Sequence, residues 1–318
     1  MSHSHAPTSA DGGPQISKVA MQSNDLTRRS FLRVPLAAGA GLTALGAARA
    51  QDAPAASERP AGIRRGRLKQ AGVHWCYGGP LEELAALCAR LGVSGIDVVH
   101  PDKWPVLIDH GLECTMTPAF ERGFGIGRGL NRKEHHEGHL EVVRERIDRN
   151  AEAGFKNVLV FSGNRADDLS DAEGLENCAE ALRQVVGYAE EKGQVIQMEL
   201  LNSKRDHGGY MFDHTPWGAD LVQKVGSDSF KILYDIYHAQ IMEGDVIATI
   251  REFHEHFGHY HTAGVPGRHN LDENQELNYP AIMGAIAETG FDGFVGQEFI
   301  PTGDKVAALT QAVELCDV

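Results

Sequence analysis

Val195-Ile196-Gln197-Met198-Glu199-Leu200-Leu201-Asn202 and Phe230-Lys231-Ile232-Leu233-Tyr234-Asp235-Ile236-Tyr237-His238 are two apolar runs of strand length, each carrying a carboxylate near its end. Outward from this pair, similar runs recur at Gln70 to Trp75, Gly95 to Val99, Glu113 to Pro118, Asn157 to Gly163, Gly258 to Gly264 and Asp292 to Phe299. Between them lie stretches of helical period, such as Leu81-Leu84-Leu87-Cys88-Leu91, Val142-Val143-Arg146-Ile147 and Ala179-Leu182-Val186-Ala189. Apolar residues three and four apart define one face of a helix. Strands that alternate with such helices are the pattern of repeated βα units.

The junctions agree. Leu91-Gly92-Val93, His110-Gly111-Leu112, Ala153-Gly154-Phe155, Lys192-Gly193-Gln194 and Thr289-Gly290-Phe291 each place glycine where a helix ends in a left-handed residue before the next strand. Eight strands in about 250 residues, once residues 1–67 are set aside, predict a single domain of the α/β class, a (β/α)8 TIM barrel over residues 68–318. The longest connection, Ala119 to Lys133, holds Gly123, Gly125, Gly127 and Gly129. It reads as either a lid over the site or a flexible surface loop.

In such a barrel the site is built at the C-terminal ends of the strands. Four of them end in potential metal ligands: Glu199, Asp235, His261 and Glu298, spaced 36, 26 and 37 residues apart, about one βα unit each. Three carboxylates and an imidazole suit a hard or borderline divalent ion, Mg²⁺ or Mn²⁺ first, with zinc also compatible. Held together without a cation, the three carboxylates would repel one another, and at least one would take up a proton.

Residues 1–50 read as an export signal. Thr27-Arg28-Arg29-Ser30-Phe31-Leu32-Arg33, the weakly apolar run Val34 to Ala48 and the small-residue site Ala48-Arg49-Ala50 form a twin-arginine arrangement, with a mature start at Gln51. The apolar run is shorter than the roughly 20 residues a spanning helix needs, so no stable membrane anchor is expected. Residues 51–67, rich in Ala, Pro and charge, read as a linker. The whole chain carries −14; residues 1–50 hold five basic and two acidic residues, which leaves the remainder near −17. A surface so acidic argues against nucleic acid as a partner. The five cysteines are scattered, odd in number and without a C-x-x-C pair, so they predict buried thiols rather than a disulfide framework.

Tyr234-Asp235-Ile236-Tyr237-His238-Ala239-Gln240-Ile241-Met242-Glu243-Gly244-Asp245, Ala263-Gly264-Val265-Pro266-Gly267-Arg268 and Glu276-Leu277-Asn278-Tyr279-Pro280 closely resemble hydroxypyruvate isomerases, as do Trp104-Pro105 and Phe161-Ser162-Gly163-Asn164-Arg165. The resemblance covers most of Ala71 to Pro301 and lies within the wider xylose-isomerase-like superfamily, which also holds ketose 3-epimerases and endonuclease IV. It implies that Glu199 and Glu298 are metal-bound and exchange protons, that Asp235 is a third ligand and His261 a fourth, and that His238 and Arg268 contact substrate. The implied reaction interconverts hydroxypyruvate and tartronate semialdehyde through an ene-diolate, Arg268 gripping the substrate carboxylate as a fork. Two departures stand out. His261 occupies a position that is often Gln in these isomerases and His in the epimerases, and Leu200 replaces a common Pro. A ketose 3-epimerase or other small-sugar isomerase, and a catalytically silent sugar-binding barrel, are the competing expectations. The partner in each case is a small keto acid or sugar, with association into a homo-oligomer compatible with the fold.

Overall fold

The computed structural model describes residues 66–318. The expected signal, residues 1–50, and all but the last two residues of the 51–67 linker lie outside the described residues. Eight strands, β1 (Lys69–Val73), β2 (Gly95–Asp97), β3 (Glu113–Pro118), β4 (Asn157–Val160), β5 (Val195–Glu199), β6 (Phe230–Asp235), β7 (Phe257–Thr262) and β8 (Phe294–Gln297), follow one another around a closed, all-parallel barrel. β1 pairs with β8 to close it, Ala71 opposite Gly296. The expected TIM barrel is the observed one. Among the described residues no helix is long and apolar enough to cross a membrane.

The helices pack their apolar stripes onto the barrel. Helix Leu81–Leu91 buries Leu81, Leu84, Ala85, Leu87 and Cys88, and helix Asp171–Arg183 starts at a capping box between Ser170 and Glu173. Gly92, Gly111, Gly154, Gly193 and Gly290 all have positive φ, as the junction pattern requires. All five cysteines are buried and unbridged.

Strand ends differ from the sequence reading in an instructive way. The run Phe230 to His238 is not strand throughout: β6 stops at Asp235, and Ile236–Met242 is helix. Asp235 is that helix's N-cap, accepting the His238 N–H at 3.1 Å. Apolar content cannot separate a buried strand from a buried first turn.

Two irregularities matter later. Between β2 and β3, Ile96 faces Cys114 but Asp97 faces Met116, so Thr115 is an extra residue. Between β6 and β7, Ile232 faces Phe257 but Leu233 faces His259, so Gly258 is extra. Such bulges bend a strand and re-aim its side chains.

The glycine-rich connection is tied down. Phe124 stacks on His139 at 4.9 Å, Gly125 and Arg128 bridge each other, and Leu130 and Asn131 donate their N–H groups to Phe161 and Ser162. Below it, the buried Arg146 bonds the Pro118 carbonyl and pairs with Glu121. Arg146 thus sits on the apolar stripe read from the sequence because its charge is matched, not because it reaches solvent.

Candidate metal centre

The four strand-end residues meet. Glu199 ends β5, Asp235 ends β6, His261 lies on β7 and Glu298 follows β8, and all are buried. Asp235 and His261 are direct neighbours in the sheet. One donor atom from each of the four falls within 4.8 Å of the others. Opposite ligands of a single Mg²⁺ or Ca²⁺ ion lie roughly 4 to 5 Å apart, so the donor set fits one ion. His261 Nδ1 stands 3.1 Å from Glu199 Oε1 and 3.0 Å from Glu298 Oε2.

The electrostatics follow the crowding. Burial, then the Glu298 charge, push Glu199 above the usual carboxylate range. Burial pushes Asp235 well above it, against the pull of Arg268. Glu298 goes the other way: burial alone would raise it, but Arg268 and His261 hold it well below. Burial would lower His261, yet Glu298, Asp97 and Glu199 raise it well above the ordinary imidazole value. Three carboxylates in one buried place therefore draw on every cation within reach.

Arg268 supplies one such cation. Its guanidinium pairs with Glu298 and lies 3.3 Å from Asp235 Oδ2, and its Cζ is 5.1 and 5.3 Å from the ring centres of Trp75 and Tyr237. The rings fix the plane of the fork. Arg268 itself has φ 60°, a left-handed conformation uncommon outside glycine. Its Nε–H is buried and finds no partner among the described residues.

His238 presents a second unused donor. Asn202 Oδ1 accepts the N–H groups of Arg205 and Asp206 at 2.9 and 3.0 Å, which fixes the amide. Its Nδ2 must then donate to His238 Nδ1, 2.6 Å away. That makes Nε2 the protonated nitrogen of His238. Nε2 lies 3.7 Å from Asp235 Oδ2 and finds no hydrogen-bond partner among the described residues. Burial, then Arg268 and His207, lower the His238 pKa well below 6.5, so the ring is neutral.

All six residues singled out in the sequence, Glu199, Asp235, His261, Glu298, His238 and Arg268, are brought together. Sequence reasoning missed Trp75, whose Nε1–H donates to Glu298 Oε1 at 2.8 Å, and Asn202, Tyr237 and His207. Trp75 and Asn202 stand at the ends of expected strands, where a polar-capable residue was a usable signal. His207, whose ring meets His238 edge-on at 5.2 Å, lies in a loop with no spacing to betray it.

Fold and site together define a barrel whose C-terminal face carries a buried carboxylate–imidazole cluster fit for a divalent ion. Residues 85–316 match the family described as Xylose isomerase-like TIM barrel, and the chain belongs to that family. It is 36% identical over 131 residues to a putative hydroxypyruvate isomerase of Homo sapiens, a match covering 41% of this chain and 47% of that protein. To a 2-oxo-tetronate isomerase of Cupriavidus necator it is 32% identical over 156 residues, 49% of this chain and 59% of the relative. The chain thus spans about half the length of these curated relatives. A 2-oxo-tetronate isomerase of Haemophilus influenzae is matched more fully, at 26% identity over 70% of this chain and 88% of that one. Among solved structures, an AP endonuclease, family 2, from Brucella melitensis superposes with TM-score 0.68 at 24% identity, over 76% of this chain and 96% of that one. A D-psicose 3-epimerase from Clostridium cellulolyticum H10 gives 0.61 at 17%, over 77% and 89%. Both share the fold.

Proposed function

We propose that this protein is a metal-dependent isomerase of small hydroxy-keto acids, interconverting hydroxypyruvate and tartronate semialdehyde or a close homologue of that pair. The observation that carries the reading is the pair Glu199 and Glu298, buried on either side of His261 Nδ1 with Arg268 fixed beside them. Glu199, Asp235, His261 and Glu298 would hold the ion, Mg²⁺ or Mn²⁺. When bound, it supplies positive charge to the oxyanion that develops as a carbon-bound proton leaves.

This chain's own groups do the rest. One of the two glutamates takes the proton from the hydroxymethyl carbon, and the other returns a proton to the adjacent carbon. The hydroxyl proton passes from the first carbon's oxygen to the second's, so that the carbonyl moves through an ene-diolate with no net gain or loss of protons. His238 offers its Nε2–H to a substrate oxygen, and Arg268 offers the unused Nε–H to the substrate carboxylate. A buried guanidinium aimed at the site favours a keto acid over a neutral ketose. The names of the matched relatives, hydroxypyruvate and 2-oxo-tetronate isomerases, both denote keto acids. A ketose 3-epimerase is the second reading, supported by His261 as the fourth ligand.

Proton NMR of hydroxypyruvate in D₂O, with the purified chain and Mg²⁺ or Mn²⁺, tests it. Deuterium entering the hydroxymethyl carbon, with the rate about 10²- to 10⁴-fold lower in Glu298→Gln, is the expected result. Exchange with a ketose alone would move the substrate to the epimerase class, and silence on both would leave a binding barrel. Export through the twin-arginine route belongs to the same proposal and rests on the Arg28-Arg29 string.

A further inference from the structure

Behind the four ligands lies a second buried group that shares His261 with them and adds Asp97 and His259, which the proposed chemistry does not use; all three are fully enclosed. Asp97 Oδ2 is 2.7 Å from His259 Nε2 and 3.0 Å from His261 Nε2, and Asp97 Oδ1 accepts the Thr115 hydroxyl. An ionised carboxylate only accepts, so both Nε2 atoms carry hydrogen. His261 therefore turns its other nitrogen, Nδ1, toward Glu199 and Glu298.

The sheet is shaped to make this contact. Thr115 and Gly258 are the extra residues of the two bulges: Thr115 holds Asp97, and the shift at Gly258 sets the register of His259 and His261 against β6. Val98, directly after Asp97, has φ 58°, a strained conformation for a β-branched residue. Glycine is required beside it on β8, because a Cβ on Gly296, the sheet neighbour of His261, would come within 2.3 Å of Asp97 Oδ2 and 2.7 Å of His261 Cδ2. That closeness, with Asp97 and His259 already at hydrogen-bonding distance, fits a hydrogen-bonded relay better than a second ion.

We infer that Asp97 is a positioning residue, clamped by Thr115 and His259, that fixes His261 as the Nε2–H tautomer and so makes Nδ1 the metal-binding atom. A carboxylate behind a ligating imidazole sets its orientation and raises its basicity. This inference rests on the four-ligand reading above.

The test uses the purified full chain, wild type and Asp97→Asn, with Mn²⁺ affinity read from the electron paramagnetic resonance of free Mn²⁺. The tautomer is read from long-range ¹H–¹⁵N spectra of the imidazoles with Mg²⁺ bound, His261 being assigned by its loss in His261→Asn. Protonated Nε2 and bare Nδ1 on His261 in the wild type are expected, with Mn²⁺ binding about 10- to 100-fold weaker in Asp97→Asn. Should Asp97→Asn not give soluble protein, Thr115→Val, which removes only the hydroxyl on Oδ1, carries the same comparison with a several-fold loss. Unchanged Mn²⁺ affinity in the variant, or an Nδ1–H tautomer in the wild type, overturns the relay alone. No Mn²⁺ binding by the wild type overturns the four-ligand reading and the relay with it.

Discussion

Arg268 pairs its guanidinium with Glu298 and Asp235 and still keeps an unpartnered Nε–H among the described residues, the donor proposed above for the substrate. Lysine at this position would preserve the charge but lose the planar fork and much of the stacking on Trp75 and Tyr237. Arg268→Lys should therefore raise KM for hydroxypyruvate about 10- to 100-fold, the value of one lost charge-assisted hydrogen bond of roughly 1.5–3 kcal/mol. Steady-state kinetics check this, and an unchanged KM would remove Arg268 from carboxylate binding. Asp235 is likewise double. Its Oδ1 caps the helix Ile236–Met242 while its Oδ2 faces the cluster. Capping and metal binding compete as explanations when only the sequence is read; here one oxygen of the carboxylate caps and the other is left to face the cluster.

At the scale of elements, the helix His136–Ala153 and the connection above it form one unit through His139. Its Nε2 bonds the Ala119 carbonyl at 3.0 Å, its face stacks on Phe124, and the ring is fully buried. Burial, with His135 and His136 nearby, lowers its pKa from 6.5 to about 4 despite the Ala119 bond. The unfolded chain thus binds a proton in this window that the folded one refuses. The contribution of His139 is complete above about pH 6.5 and is lost as the pH falls toward 4. Linkage puts the loss at about 2–3 kcal/mol near pH 4.5. Urea unfolding at pH 7 and pH 4.5 should show the wild type losing that much more stability than His139→Gln. Equal losses would show that the ring does not remain neutral. One of the glycines that suggested a lid is also explained at this scale. Gly129 lets backbones meet, since a Cβ there would fall 2.3 Å from the Phe161 carbonyl oxygen. Its role is close approach rather than freedom.

At the scale of the whole molecule, the cluster sits at one end of a closed barrel, and four neighbouring strands, β5 to β8, each deliver one of its side chains, so the site is as rigid as the sheet. We propose that this folded barrel is exported. Replacing both Arg28 and Arg29 by Lys should leave the protein in the cytoplasmic fraction when cells are separated from periplasm, whereas unaltered distribution would dismiss the signal.

The sequence by itself determined the number of strands, their order and the four strand-end residues that converge in the cluster. Those depend on hydrophobic period and on the repeat of one βα unit, which are local properties of the chain. It also determined where helices end, because glycine at a left-handed position is a demand of single residues. What the tertiary structure alone decided was where β6 gives way to helix, the Asn202 contact that fixes His238, the pairing of Arg268, and the carboxylate of Asp97 behind His261. Asp97 and His261 are 164 positions apart and meet because β2, β1, β8 and β7 pair side by side, Asp97 opposite Val73, Gly72 opposite Gln297 and Gly296 opposite His261. Register is set by pairing between distant segments, and no spacing along one segment encodes it.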